Sequence, residues 1–185
     1  MNESKPRRKL ADIVAAYVVN LSMMIGGQRG SVATRMSRLL REQVVGLVDI
    51  GASGGLEPRW SSIQKNLRAF LFEPDERSHQ ALRKSDHIAE VFPVGLGSSE
   101  KSASLNLCRK PTVSSFLHPL NSFLSRFPDV KRFDVISQET MKLSTLDICL
   151  KDRNQDCDFI KIDTQGTEFA ILKGGDIFLD GPIIG

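Results

Sequence analysis

The sequence predicts an α/β fold: a mostly parallel sheet with helices on both faces. Three observations carry that prediction. From residue 44 onward, short apolar runs alternate with segments of helical composition. Several of those runs stop at a glycine or at an acid-proline pair, the punctuation of strand ends. The chain has 185 residues, 41% of them hydrophobic, enough for one domain with a real core.

The elements follow in order. Residues 44–50 form an apolar run ending at Gly51, suited to a buried parallel strand. Residues 59–66 are the helix candidate behind it. Residues 69–72 make a second strand, stopped by Glu73-Pro74-Asp75, and 76–84 have helical composition. Residues 91–96 are the third strand candidate, closed by Gly97. The stretch 98–142 is less regular, with 104–107 and 134–137 as candidate antiparallel strands. Residues 145–152 read as a short helix with Ser144 as N-cap. Residues 158–162 are a strand, and 167–173 a helix closed by Gly174-Gly175. Residues 181–185 read as the entry to a fifth core strand. The expected domain therefore runs over 44–185 and is incomplete at its C-terminal side.

Residues 1–43 differ in character. Positions 1–41 hold eight Lys and Arg against Glu3 and Asp12. Leu10, Ile13, Val14, Tyr17, Val18, Leu21 and Ile25 recur at helical spacing, and Arg35, Arg38 and Arg41 share a second short helical segment. A basic helical N-terminal extension is expected, covering the main domain or making weak peripheral contact with a membrane surface. The apolar stretch 13–25 is too short to span a bilayer and lacks a clear signal-peptide cleavage pattern. Three cysteines, an odd number with no C-x-x-C spacing, argue against a disulfide framework or zinc site and fit a reducing cytoplasm. His79, His87 and His118 form no ligand pattern, so no metal is expected. Only His118, beside Ser114-Ser115-Phe116, is a candidate for an acceptor site. A formal net charge of +3 and 6% aromatic residues, with no basic-aromatic stripe, give no reason to expect a nucleic-acid partner.

Three motifs carry chemistry. The first is Val48-Asp49-Ile50-Gly51-Ala52-Ser53-Gly54-Gly55, a strand delivering an acid and then a glycine-rich turn. Ser53 stands where a G-x-G-x-x-G fingerprint needs its second glycine, and Pro58 delays the helix that would cradle a pyrophosphate. An acid at this place suits a cationic ligand. The second is Phe72-Glu73-Pro74-Asp75: Glu73 lies 24 residues after Asp49, where a carboxylate can accept both hydroxyls of a ribose. The third is Lys161-Ile162-Asp163-Thr164-Gln165-Gly166-Thr167-Glu168, which puts two opposite charges on one side of a strand near its carboxyl end. The same residues would also suit a structural ion pair followed by a helix cap.

Taken together with Thr145-Leu146-Asp147, Phe169 and Leu172-Lys173-Gly174, these motifs resemble the FkbM-type methyltransferase family over roughly residues 44–175. The resemblance implies a Rossmann-like (class I) methyltransferase fold that uses S-adenosyl-L-methionine, usually to methylate oxygen. It implies that Asp49, Gly51, Ala52, Ser53 and Gly54 lie beside the methionine part of that cofactor, that Glu73 holds the ribose, and that Gly97 and Ser98 lie near the adenine. A hydroxyl acceptor on a small molecule or saccharide must lose its proton as it attacks. Asp163 is the candidate base, or the group that orients the acceptor, with Lys161 pairing with it or tuning it. Two other readings stay open: a non-catalytic remnant acting as a binding or interaction module, and a nicotinamide-dependent oxidoreductase, which the missing G-x-G-x-x-G disfavours.

Overall fold

The computed structural model describes residues 44–82, 88–153 and 157–180. The expected N-terminal extension (1–43) and fifth core strand (181–185) lie outside the described residues.

The first sheet has four parallel strands: β1 (Val45–Ile50), β2 (Leu67–Phe72), β3 (Ile88–Phe92) and β7 (Phe159–Ile162), in the order β3-β2-β1-β7. All six residues of β1 are buried, as expected for a strand with neighbours on both sides and cover on both faces. Val48 and Ile50 share a face with Phe70 and Phe72. That face meets Leu96, Leu146, Leu150, Ile171 and Phe178 to make the core. Phe72 stacks on Phe92 with ring centroids 4.5 Å apart. Leu47, Ala69 and Leu71, on the opposite face, are fully buried too.

A second sheet holds β4 (Gly95–Leu96), β5 (Lys101–Cys108) and β6 (Val135–Ser144), in the order β4-β6-β5. β5 and β6 are antiparallel, as expected, but both are longer than predicted. Only the inner half of β5 is buried, so the apolar pattern marked 104–107 and left the exposed half unread. The predicted third strand (91–96) is in fact two. β3 stays in the first sheet and β4 joins the second, parallel to β6. Pro93 stands between them, without the N–H that would continue the ladder.

Local corrections have local causes. The segment Pro58–Asn66 is a 3-10 helix, not an α-helix. Its apolar residues, Trp60 and Ile63, are three apart, the spacing at which that helix eclipses its side chains. Trp60 meets Phe159 edge-on, with centroids 5.7 Å apart. Four helices complete the elements used below: α1 (Glu76–Leu82), α3 (Leu146–Leu150), α4 (Glu168–Lys173) and α5 (Asp176–Leu179), with the single turn α2 (Asn121–Leu124) between β5 and β6. The N-cap of α3 is Thr145 rather than Ser144: its hydroxyl accepts the Ile148 N–H at 3.2 Å. In Thr145-Leu146-Asp147 each side chain has its own task. Thr145 caps α3, Leu146 fills the core, and Asp147 Oδ1 accepts the Phe178 N–H of α5 at 2.8 Å. Among the described residues, no helix is long and apolar enough to cross a membrane.

Leu146 has no exposed surface and packs against the backbone of Gly175. Leu146→Ala is expected to lower unfolding stability by about 2–5 kcal/mol, the range for an emptied core site. Urea denaturation measures it.

Candidate functional site

An open cleft lies beyond the carboxyl ends of β1, β2 and β7. Five pieces of chain line it: the Gly51 turn, Glu73-Pro74-Asp75, Val94-Gly95-Leu96, a roof from residues 111–116 with Leu105 beneath it, and the loop that opens at Asp163.

Gly51 holds the first piece in place. Its φ is +80°, and a Cβ there would stand 1.9 Å from the carbonyl oxygen of Asp163, so only glycine fits. The turn is tied to both neighbouring strands. Gly51 and Ala52 donate their N–H groups to the Phe72 carbonyl at 3.0 and 3.2 Å, and Asp163 N–H donates to the Ile50 carbonyl at 2.9 Å. Ala52 is buried. Ser53 lines the cleft, and its hydroxyl bonds that of Ser78 at 2.7 Å, while Gly54 is exposed outside the lining.

Asp49 and Lys161 lie behind this surface and do not line the cleft. Lys161 pairs with Asp49, at 2.9 Å, and not with Asp163 as expected. The register explains it. Asp49 and Lys161 are side by side on adjacent strands, about 4.8 Å apart, whereas residues two apart on one strand are separated by roughly 6.6 Å. Lys161 Nζ also donates to the Gly51 carbonyl at 3.2 Å. Burial pushes the Asp49 carboxyl above its ordinary range, with Lys161 opposing that rise. Its Oδ2 has no hydrogen-bond partner among the described residues.

Glu73 is 4% exposed and opens onto the cleft. Its Oε1 accepts the Asp75 N–H at 2.8 Å. Burial raises its pKa from 4.5 to about 7, against the lowering effect of backbone N–H groups from Asp75 and Ser53. Asp75, which sequence reasoning left unassigned, is just as buried. Arg77 clamps it through Nε at 2.9 Å and a terminal nitrogen at 2.5 Å, and donates to the Cys108 carbonyl at 2.9 Å. Ser114 Oγ donates to Asp75 Oδ2 at 3.2 Å, so the roof is fastened to the β2 exit.

The neighbouring serine fastens the other side. Ser115 Oγ contacts the carbonyls of Thr164 and Gln165 at 3.3 and 3.1 Å. That loop turns on Gln165 (φ 60°) and Gly166 (φ 112°). Glu168 clasps it, accepting from Thr164 N–H at 2.9 Å and Gly166 N–H at 3.1 Å. Burial works against the charge on Glu168, but these backbone donors hold its pKa below the usual range. Asp163 lies at the exposed rim, with Gln165 Nε2 donating to it at 3.0 Å.

The structure thus brings Gly51, Ser53, Glu73 and Asp163 to one cleft. It does not bring Gly97 or Ser98 there. Gly97 is pressed against Gly174, whose added Cβ would lie 2.1 Å from the Gly97 carbonyl oxygen, and Ser98 is exposed. Val94-Gly95-Leu96 take that side instead, because β4 ends in the second sheet. His118 is exposed and outside the lining, whereas the serines beside it are inside. The lining carries three carboxyls (Glu73, Asp75, Asp163) and, among the described residues, no Lys, Arg or His.

The raised pKa of Glu73 has a stability consequence. Between about pH 4.5 and 7 the folded chain holds a proton at this site that the unfolded chain has lost, so stability falls as pH rises through that window. Glu73→Gln keeps an acceptor for Asp75 N–H and removes the titration. It is expected to be more stable than wild type at pH 8 by on the order of 2–3 kcal/mol, with the advantage gone below pH 4.5. Chemical denaturation from pH 4 to 8 measures the difference.

Comparison with known proteins adds one match. The family described as the methyltransferase FkbM domain matches residues 49–184, and no curated protein or solved structure matches the chain. The matched span takes in the Gly51 turn, the β2 exit and the Asp163 loop, as well as the mostly parallel sheet that carries them, a Rossmann-like arrangement. With most of the sequence covered, the chain belongs to the FkbM methyltransferase family.

Proposed function

We propose that this methyltransferase uses S-adenosyl-L-methionine to methylate a hydroxyl of a small-molecule or saccharide acceptor. One observation carries the choice of cofactor: among the described residues, the cleft lining presents carboxyls and no basic side chain. Such a lining offers a phosphate-bearing dinucleotide no cationic side chain, and Arg77 beside it is engaged by Asp75, while a ligand carrying an ammonium and a sulfonium suits the carboxyls. The residues fit such a ligand. Glu73 is a buried carboxyl at the end of the strand beside the glycine turn, able to accept ribose hydroxyls. The turn of Gly51 and Ser53, which lines the cleft, would take the methionine part, with Asp49 behind it. In our reading the apolar side formed by Leu96, Leu105 and Phe116 takes the adenine, in place of Gly97 and Ser98.

When bound, S-adenosyl-L-methionine supplies an electrophilic methyl group. The chain's own residues then have three tasks. Lys161 holds Asp49 and the Gly51 carbonyl, and so keeps the turn in position. Ser114 and Ser115 hold the roof over the cleft, which favours a fixed approach of acceptor to methyl. Asp163, at the rim and braced by Gln165, receives the acceptor's hydroxyl proton or orients that hydroxyl. The odd cysteine count and lack of C-x-x-C spacing support a cytoplasmic setting.

Calorimetry is expected to show binding of S-adenosylhomocysteine and none of NADH. Binding of neither at millimolar ligand would replace this reading with a non-catalytic module. Affinity is expected to weaken as pH falls below about 7, where Glu73 takes up its proton, and Glu73→Gln should lose that dependence. Asp163→Asn should retain cofactor affinity within about twofold while transfer falls by roughly 10²–10⁴. Unchanged transfer would remove Asp163 from the chemistry.

A further inference from the structure

The segment between β5 and β6 carries a second feature that methyl transfer does not use. Leu117, Leu120, Phe123 and Phe127 are each 48–66% exposed, four large apolar side chains within eleven residues. The same connection is the basic part of the domain. Residues 109–134 hold Arg109, Lys110, Arg126, Lys131 and Arg132 against Asp129 and Asp134, a net of +3, whereas the remainder of 44–185 nets −5. Asp134 neutralises Arg109 at 3.2 Å, which leaves Lys110, Arg126 and Lys131 as exposed cations.

The patch adjoins the cleft. Phe116 lines the cleft, the next residue donates its N–H to Ser115 Oγ at 3.1 Å, and a Cβ on Gly166 would lie 2.7 Å from Leu117 Cδ1. The apolar side chains therefore begin beside the loop that carries Asp163.

We propose that this lobe docks on an anionic lipid surface, with Leu117, Leu120, Phe123 and Phe127 entering the headgroup layer and Lys110, Arg126 and Lys131 meeting acidic headgroups. The charges single out this occupant. A two-fold dimer through the patch would set like charges against each other. Nucleic acid would need open ring faces for stacking. Arg126 already lies over Phe123, 5.9 Å from its centroid, and Phe123 tilts against Phe127 at 5.4 Å. Leu117 and Leu120 have no face to offer a base, but both suit lipid.

Vesicle co-sedimentation of the full chain tests this without reference to catalysis, so its failure would leave the methyltransferase reading untouched. Binding is expected to be at least about tenfold tighter on vesicles with 30 mol% phosphatidylglycerol than on pure phosphatidylcholine. Phe123→Ser/Phe127→Ser and Arg126→Glu/Lys131→Glu should each reduce that binding by at least about tenfold. Phe169→Ser/Lys173→Glu, which removes another exposed aromatic with a cation over its ring, should change it less than about twofold. Circular dichroism checks the fold. If the Phe123/Phe127 variant unfolds, Leu120→Ser carries the same test from a more exposed site. Equal binding to both vesicle types, or patch variants that bind like wild type, would overturn the proposal. So would displacement from the vesicles by RNA, or a dimer seen in light scattering that the Phe123/Phe127 variant abolishes.

Discussion

The pairing of Asp49 with Lys161 is the constraint on which the cleft depends. Asp49 is fully buried on β1, and Lys161 is half-buried on the neighbouring β7. An isolated carboxylate there would suffer a large desolvation penalty. The pair contributes little net stability, because attraction and desolvation largely offset each other. Removing Lys161 is different: loss of the partner of a buried charge typically costs about 3–5 kcal/mol, since the Asp49 carboxyl is left buried alone. A slip of β7 by one residue would have that effect and would turn each of its side chains to the opposite face. The pair therefore favours one register.

Other contacts follow from that register. With Lys161 beside Asp49, the end of β7 brings the Asp163 carbonyl against Gly51, in the space where any other residue would carry a Cβ. Lys161 reaches the Gly51 carbonyl as well, so one ammonium steadies the acid, the strand end and the turn. On the other side the turn hangs from Phe72, the residue before Glu73. The two ends of the cleft are thus connected through a few backbone bonds. Ser114 and Ser115 close the ring from above, one tied to each end.

The legible parts of the sequence were those with a strong local signal. Three strands of the first sheet read directly, because each is a mostly apolar run that stops at a glycine or an acid. The glycine turn, Glu73 and Asp163 were legible because each lies one or two residues beyond such a run. The second sheet was read poorly for the opposite reason. The outer half of β5 and most of β6 are polar and exposed, so little in their composition marks them as strands. The roof over the cleft was missed for the same cause: Asp75, Ser114 and Ser115 are ordinary loop residues until the fold sets them face to face.

What the sequence by itself determined is the row of parallel strands and the acids and glycines at their ends, because burial and turn chemistry are local and leave a local pattern. What only the tertiary structure decided is which of those groups are partners. Lys161 lies two residues before Asp163, and the sequence suggested that the two would pair. In the fold its partner is Asp49, 112 positions earlier, because lateral neighbours in a parallel sheet are closer than alternate residues along one strand. The same holds for Gly97 and Ser98, which sequence order put at the cleft. The turn at Pro93 carries β4 into the second sheet, and the position passes to residues 94–96. Register and sheet membership are long-range choices, made by packing, and no short stretch of sequence contains them.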